Sequence, residues 1–190
     1  MEANKFDLRI YVLVTSYSPL TVYLYRDGFA RFTHHRYSTN IEDISNSYVH
    51  LTNVAVQKTS LNYDEKLGGK WDLRSLKTYL MSRYGQEEVS ESFTKIQELI
   101  LKSLQSVWKV IINDKHWFEL YGFDILFDAK LKPWLIEINA SPSMTANTPN
   151  DYEMKVGLLD DTFTTLDIEK MYDTYLKNNI FLEWQGLRNK

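Results

Sequence analysis

Between Gln86 and Ile112 the residues Phe93, Ile96, Leu99, Ile100, Leu104, Val107 and Ile111 recur at spacings of three and four, the stripe of a long amphipathic helix. On both sides of that stripe the apolar period falls to two. Upstream, Phe6, Leu8 and Ile10 alternate with Asp7, Arg9 and Tyr11 in a strand over Phe6 to Thr15. Pro19 turns the chain into a second strand, Leu20 to Tyr25, and Arg26-Asp27-Gly28 supplies turn chemistry before a third, Phe29 to Thr33. Downstream, Phe118 to Phe127 and Leu131 to Ala140 form two strands around Asp128-Ala129-Lys130. Asp72 can cap a helix to about Tyr84, and further helices run from about Asp151 to Leu159 and from about Ile168 to Leu176. Strands, then helices, then a hairpin read as α+β, with no regular βαβ alternation.

At 190 residues the chain suits one domain with a sizeable core. Its 22 Lys and Arg stand against 25 Asp and Glu, a formal charge of −3, so no global basic field exists to grip nucleic acid or an anionic membrane. The cysteine count is zero, which removes disulfides, Cys-based zinc sites and a thiol nucleophile together. The longest apolar run, Ile10 to Val14, is far below the roughly 20 residues of a membrane span, and no signal peptide is visible after Met1. The cytoplasm is the expected compartment. Aromatic residues make up 14%, in keeping with a sheet-built core.

The stretch Gly122 to Ser143, GFDILFDAKLKPWLIEINASPS, is the most informative. Within two otherwise apolar strands it carries Asp124 on one and Glu137 and Asn139 on a single face of the other. A tight loop near Lys130 sets Asp124 almost opposite Glu137. Like charges across a strand pair oppose pairing, whereas two carboxylates and an amide oxygen together suit a hard cation such as Mg²⁺. Alternatively, one carboxylate faces solvent and the other takes a nearby Lys. At the chain's start Lys5, Asp7 and Arg9 share a strand face, and Arg26 ends the neighbouring strand. Such a cluster suits a polyphosphate or carboxylate, or else forms a surface salt-bridge ladder.

Six segments in order resemble the tubulin–tyrosine ligase-like family, whose fold is of the ATP-grasp type. They are Lys5-Phe6-Asp7-Leu8-Arg9, Tyr23-Leu24-Tyr25-Arg26-Asp27-Gly28, His50-Leu51-Thr52-Asn53, Gly68-Gly69-Lys70-Trp71, Gly122-Phe123-Asp124 and Trp134-Leu135-Ile136-Glu137-Ile138-Asn139. The likeness covers about Lys5 to Asp161. Asp114-Lys115-His116, Val54-Ala55-Val56-Gln57-Lys58 and Leu131-Lys132-Pro133-Trp134 look most like its polyglutamylase catalytic branch. The resemblance implies an ATP-dependent ligase. MgATP phosphorylates a glutamate side chain on a tubulin tail, and the amine of free glutamate displaces phosphate from that acyl phosphate. It assigns Asp124, Glu137 and Asn139 to Mg²⁺, and Lys5, Asp7, Thr52 and Asn53 to the nucleotide. Arg9 becomes a phosphate-side catalytic arginine. Arg26, also catalytic, joins Lys70 and Lys155 in holding the incoming amino acid. Tubulin's acidic tails, free glutamate and accessory polyglutamylase subunits are the implied partners. Beyond the cytoplasm, the implied locations are the cytoskeleton, cilium or basal body.

Family members carry an additional N-terminal lobe, and this sequence begins where the Lys5 strand starts. The expectation is therefore the C-terminal part of an ATP-grasp fold over residues 1–162, followed by a helical tail at 163–190, with the N-terminal lobe missing. A truncated, non-catalytic tubulin-binding module and a sister glycine ligase are the alternatives; Arg26 and Lys70 together favour a dicarboxylic amino acid. Residues 71–115 carry seven basic against six acidic residues, a net +1, too little to attract an acidic lattice strongly. His34 and His35 do not have zinc-site spacing, and Arg31-Phe32-Thr33-His34-His35-Arg36 reads as an exposed strand edge, or else as a contact for an acidic tail.

Overall fold

A computed structural model describes residues 4–60, 69–111, 117–146 and 148–167. The expected helix at Ile168 to Leu176, most of the 163–190 tail, Gly68 and the Asp114-Lys115-His116 segment lie outside the described residues.

The first hairpin is built from β1 (Phe6–Tyr17) and β2 (Leu20–Phe32). After a polar segment with two single-turn helices, α1 (Ser47–His50) and α2 (Val54–Gln57), come β3 (Lys70–Asp72), α3 (Leu73–Tyr84) and α4 (Gln86–Val107). The second hairpin, β4 (Glu119–Phe127) and β5 (Pro133–Asn139), precedes α5 (Pro149–Leu166). The strands form one antiparallel sheet in the order β3-β2-β1-β4-β5. The chain is α+β, as its periodicity predicts.

Both faces of β1 are covered. Its even positions, Leu8, Ile10, Val12 and Val14, pack with Phe123 and Ile125 against α3 and α4, through Leu73, Leu76, Leu80, Val89, Ile96, Ile100 and Leu104. Each such side chain contributes about 1.5–3 kcal/mol on full burial. On the opposite face Tyr11, Phe29 and Tyr25 pack with Leu158 of α5. Asp7 and Arg9 therefore lie in a covered layer, only 7% and 8% exposed.

Four expectations are corrected. Arg26-Asp27-Gly28 does not separate two strands: β2 is continuous, and a bulge sets Leu24 opposite Val12 but Gly28 opposite Ile10. Gly28 is required there because a Cβ would lie 2.4 Å from the Arg9 carbonyl oxygen. The segment beginning at Arg31 is not a strand edge, since β3 pairs Lys70 with Arg31 and Trp71 with Ala30. Phe32 stacks on Phe6 and Trp71, and Thr33 is 2% exposed. The helix α4 ends at Val107, 38% exposed, and not at about Ile112, although Ile111 still packs against the core. Finally, α5 extends well past Leu159, crossing position 162, because Thr148 caps its start and Asp167, at φ 43°, supplies the left-handed stop.

Candidate active site

Antiparallel register sets the polar side chains in rows across the face opposite α3 and α4. One row runs Phe29, Arg9, Asp124 and Glu137; the next runs Lys70, Arg31, Asp7 and Leu126. Tyr11, Gly122 and Asn139 form a third. Asp124 thus stands opposite Glu137, as the hairpin spacing predicts. The turn that fixes this register is organised by Asp128, whose carboxylate accepts from the Lys130 and Lys132 amides and from the Trp134 indole. A bulge at Ile136 follows.

Asp124 is 3% exposed and held by two arginines. Arg9 donates to it through Nε at 2.5 Å and Nη2 at 2.9 Å, and Arg31 Nη2 lies 2.7 Å from the same Oδ2. Arg31 also forks onto Asp7, donating from Nε at 2.8 Å and from Nη2. Burial alone would push the Asp124 carboxyl up; the two guanidinium groups outweigh it and hold it below the usual carboxylate range. Arg31 likewise stays charged, because Asp7 and Asp124 more than offset the effect of burial. Glu137 is solvent-exposed, and Asn139 Nδ2 donates to its Oε1 at 3.0 Å, leaving the Asn139 carbonyl oxygen for another partner.

A second charged group lies beside the first. Lys70 Nζ donates to Asp151 Oδ2 at 2.8 Å, and Lys155 Nζ lies 3.2 Å from Asp151 Oδ1. Lys155 also donates to the Thr145 carbonyl, fastening the β5–α5 loop. Both ammonium groups lie over the Phe29 ring, at 4.3 and 5.8 Å from its centroid. Burial lowers the Lys70 pKa despite Asp151. Tyr11 packs edge-on against Phe29 in the same layer. Its hydroxyl is buried with no hydrogen-bond partner among the described residues, and burial pushes it up to about 12 against the pull of Arg9.

The remaining predicted site residues are placed differently. Lys5 immediately precedes β1, and its carbonyl accepts from the Thr33 amide. Arg26 sits within β2 rather than at its end, and its guanidinium is 3.8 Å from Asp161 of α5. Thr52 is 9% exposed in the segment joining α1 to α2, and the Asn53 side chain caps α2 through the Ala55 amide. Gln57 fixes this segment to the end of β2: its oxygen accepts from the His34 amide, and its nitrogen donates to the Tyr48 and Leu51 carbonyls. His34 and His35 form no metal pair; His35 Nε2 is 3.3 Å from Ser60 Oγ.

Sequence reasoning misses four of these residues: Arg31, Asp151, Tyr11 and Gln57. Asp151 carries a readable signal, four residues before Lys155 on one helix. Arg31 becomes legible only once β3 is known to cover it.

As ligands for a divalent cation, Asp124, Glu137 and Asn139 fit in chemistry and placement. They offer an ionised carboxylate, a second carboxylate opposite it, and an amide oxygen one register step away. Among the described residues no group of three or more His, Cys, Asp or Glu could hold a metal.

A buried carboxylate–arginine row on an antiparallel sheet, flanked by a lysine pair that shares Asp151, is the main concentration of charge on this face among the described residues. The tubulin-tyrosine ligase family model matches residues 1–174, and the chain belongs to that family. It is 58% identical over 166 residues to "Probable tubulin polyglutamylase TTLL9" of Rattus norvegicus, covering 87% of this chain and 36% of that protein. It is 54% identical over 160 residues to "Probable alpha-tubulin polyglutamylase Ttll1" of Tetrahymena thermophila, covering 84% and 39%. To "Tubulin polyglutamylase TTLL5" of Homo sapiens it is 38% identical over 177 residues, covering 85% and 14%. The chain thus spans well under half the length of the relatives it matches.

Proposed function

We propose that this chain carries part of the active site of an ATP-dependent carboxylate–amine ligase of ATP-grasp type that adds glutamate to glutamate side chains of tubulin tails. The observation carrying this reading is the row Arg9–Asp124–Glu137 with Asn139 beside it. Similarity to proteins named tubulin polyglutamylases supports the choice of tubulin and of glutamate.

Each residue has a role its surroundings suit. Asp124, Glu137 and Asn139 would hold Mg²⁺, which when bound supplies neutralisation of phosphate charge. Arg9, buried and bidentate, is positioned to turn its guanidinium toward phosphate oxygens. Lys5, Asp7, Thr52 and Asn53 lie around one end of the sheet, joined through the Thr33–Lys5 and Gln57–His34 bonds, and are assigned to the nucleotide. Lys70 and Lys155 share one carboxylate between two ammonium groups, a surplus of positive charge suited to a dicarboxylic amino acid. Arg26 is assigned to the same substrate, which requires its release from Asp161. Tubulin as substrate places the action on microtubules; the cilium or basal body and the accessory subunits rest on likeness to the polyglutamylase branch. Among the described residues no helix is long and apolar enough to cross a membrane.

The test is incorporation of labelled glutamate or glycine into tubulin with MgATP, together with calorimetric titration of MgATP. We expect MgATP binding that is lost in Glu137→Gln and, where an amino acid is incorporated, that it is glutamate. Incorporation of glycine alone overturns the substrate, and absence of MgATP binding overturns the ligase reading for this chain.

A further inference from the structure

We propose that Arg31 is a positioning residue that guards Asp124, keeping a divalent cation off this carboxylate until an anionic polyphosphate draws the guanidinium groups away. Cation and polyphosphate then bind with positive coupling. The inference rests on the reading of Asp124, Glu137 and Asn139 as cation ligands and goes beyond it, because nothing in the family motifs singles out Arg31.

A carboxylate offers about four lone-pair positions. Oδ2 of Asp124 spends two, on Arg9 Nη2 at 2.9 Å and Arg31 Nη2 at 2.7 Å, and Oδ1 spends one on Arg9 Nε. One position remains, on a carboxylate whose side chain is 4% exposed, with two guanidinium groups beside it. A cation arriving there alone meets two positive charges at close range in a poorly solvated place. The group Arg9, Arg31, Asp7 and Asp124 is already neutral, and only the exposed Glu137 contributes unspent negative charge.

Arg31 also ties Asp124 to Asp7 through the same Nη2. Arg31 can therefore give up Asp124 while keeping its fork on Asp7. A polyphosphate offers these arginines stronger acceptors than Asp124 and adds the negative charge the cation lacks. Arg9 can turn toward phosphate while Arg31 falls back on Asp7, leaving Oδ2 open. Couplings of this kind run from about 5-fold to about 150-fold in affinity.

The test uses the full chain and Mn²⁺ as a paramagnetic probe, without nucleotide, read by electron paramagnetic resonance. Arg31→Gln is expected to tighten Mn²⁺ binding by about fivefold or more. Lys70→Gln, which removes an equal charge from the same row without touching Asp124, is expected to change it by less than about twofold. Glu137→Gln tests the underlying assignment: if Mn²⁺ binding persists unchanged, the ligand reading fails. If Glu137→Gln abolishes binding while Arg31→Gln leaves it unchanged, or Lys70→Gln matches Arg31→Gln, the guard fails. Should Arg31→Gln not fold, metal-free wild-type chain titrated with tripolyphosphate decides the matter through the arginine side-chain N–H resonances. Arg9 and Arg31 signals that shift together support the guard, and signals that stay fixed overturn it.

Discussion

Gly122 lies directly beneath Arg9: a Cβ on the glycine would come within 3.1 Å of Arg9 Cδ and 3.3 Å of its Nε. It would also meet Pro142 Cβ at 2.9 Å, so an added methyl would be wedged between the proline and the arginine stem. Gly122→Ala is therefore expected to cost about 1–3 kcal/mol and to loosen the Arg9–Asp124 fork. Gly28→Ala is expected to cost more, because its 2.4 Å neighbour is the backbone oxygen of Arg9, which cannot swing aside. Chemical denaturation of both variants checks the order. Equal, small losses would mean that β1 shifts freely, which its central place in the sheet argues against.

Asp151 pairs with two ammonium groups, the partly buried Lys70 and the buried Lys155. Asp151→Ala leaves Lys70 and Lys155 facing each other beneath α5, and removing one partner of a buried ion pair costs about 3–5 kcal/mol. We expect a loss of that order, measured by urea unfolding. Adding Lys155→Met should recover part of it, because it removes one of the two stranded charges. A double variant no more stable than Asp151→Ala would show that the ammonium groups had already found other partners.

The sheet's core and the register that sets Asp124 opposite Glu137 are largely legible along the chain; its long-range pairings are not. Alternation along Phe6 to Ile10 sets which side chains of β1 face α3 and α4, and the distance from Asp124 to Glu137 across one hairpin is a local quantity. Arg31 is different. Whether it is edge or interior depends on β3, three residues long and some forty residues further on, whose pairing leaves almost no periodic trace. Arg26-Asp27-Gly28 misleads for a related reason. A bulge and a turn use the same residue types, and only the register against β1 distinguishes them. Asp151 pairs locally with Lys155, but its bond to Lys70 spans eighty-one residues.

Gln57 is 2% exposed, and its amide bonds three backbone groups: the His34 amide and the carbonyls of Tyr48 and Leu51. An unsatisfied buried polar group costs about 1–3 kcal/mol. Gln57→Ala is expected to destabilise the protein by about 2–3 kcal/mol and to speed hydrogen exchange at the His34 amide and across the α1–α2 segment, while β4 and β5 remain protected. On the proposed assignment of Thr52 and Asn53 to the nucleotide, nucleotide affinity should fall with it. Unchanged exchange at His34 would show that the Gln57 amide does not hold the loop.

Tyr11 makes a prediction about pH as well as stability. Its hydroxyl is buried without a hydrogen-bond partner among the described residues, so Tyr11→Phe removes an uncompensated polar atom and should leave stability at neutral pH unchanged or slightly higher. Burial raises the Tyr11 pKa from 10.0 to about 12, so the native state holds its proton where the unfolded chain begins to lose it. The stability tied to that proton is complete below pH 10 and declines as pH rises through 12, by about 2–3 kcal/mol in all. Tyr17 and Tyr25 are also shifted upward, so the wild type should weaken steeply in this range and Tyr11→Phe less steeply. Urea denaturation at intervals from pH 8 to beyond pH 12 measures the difference. Curves that stay parallel throughout would show that the Tyr11 hydroxyl is hydrated, and that the layer under α5 admits water.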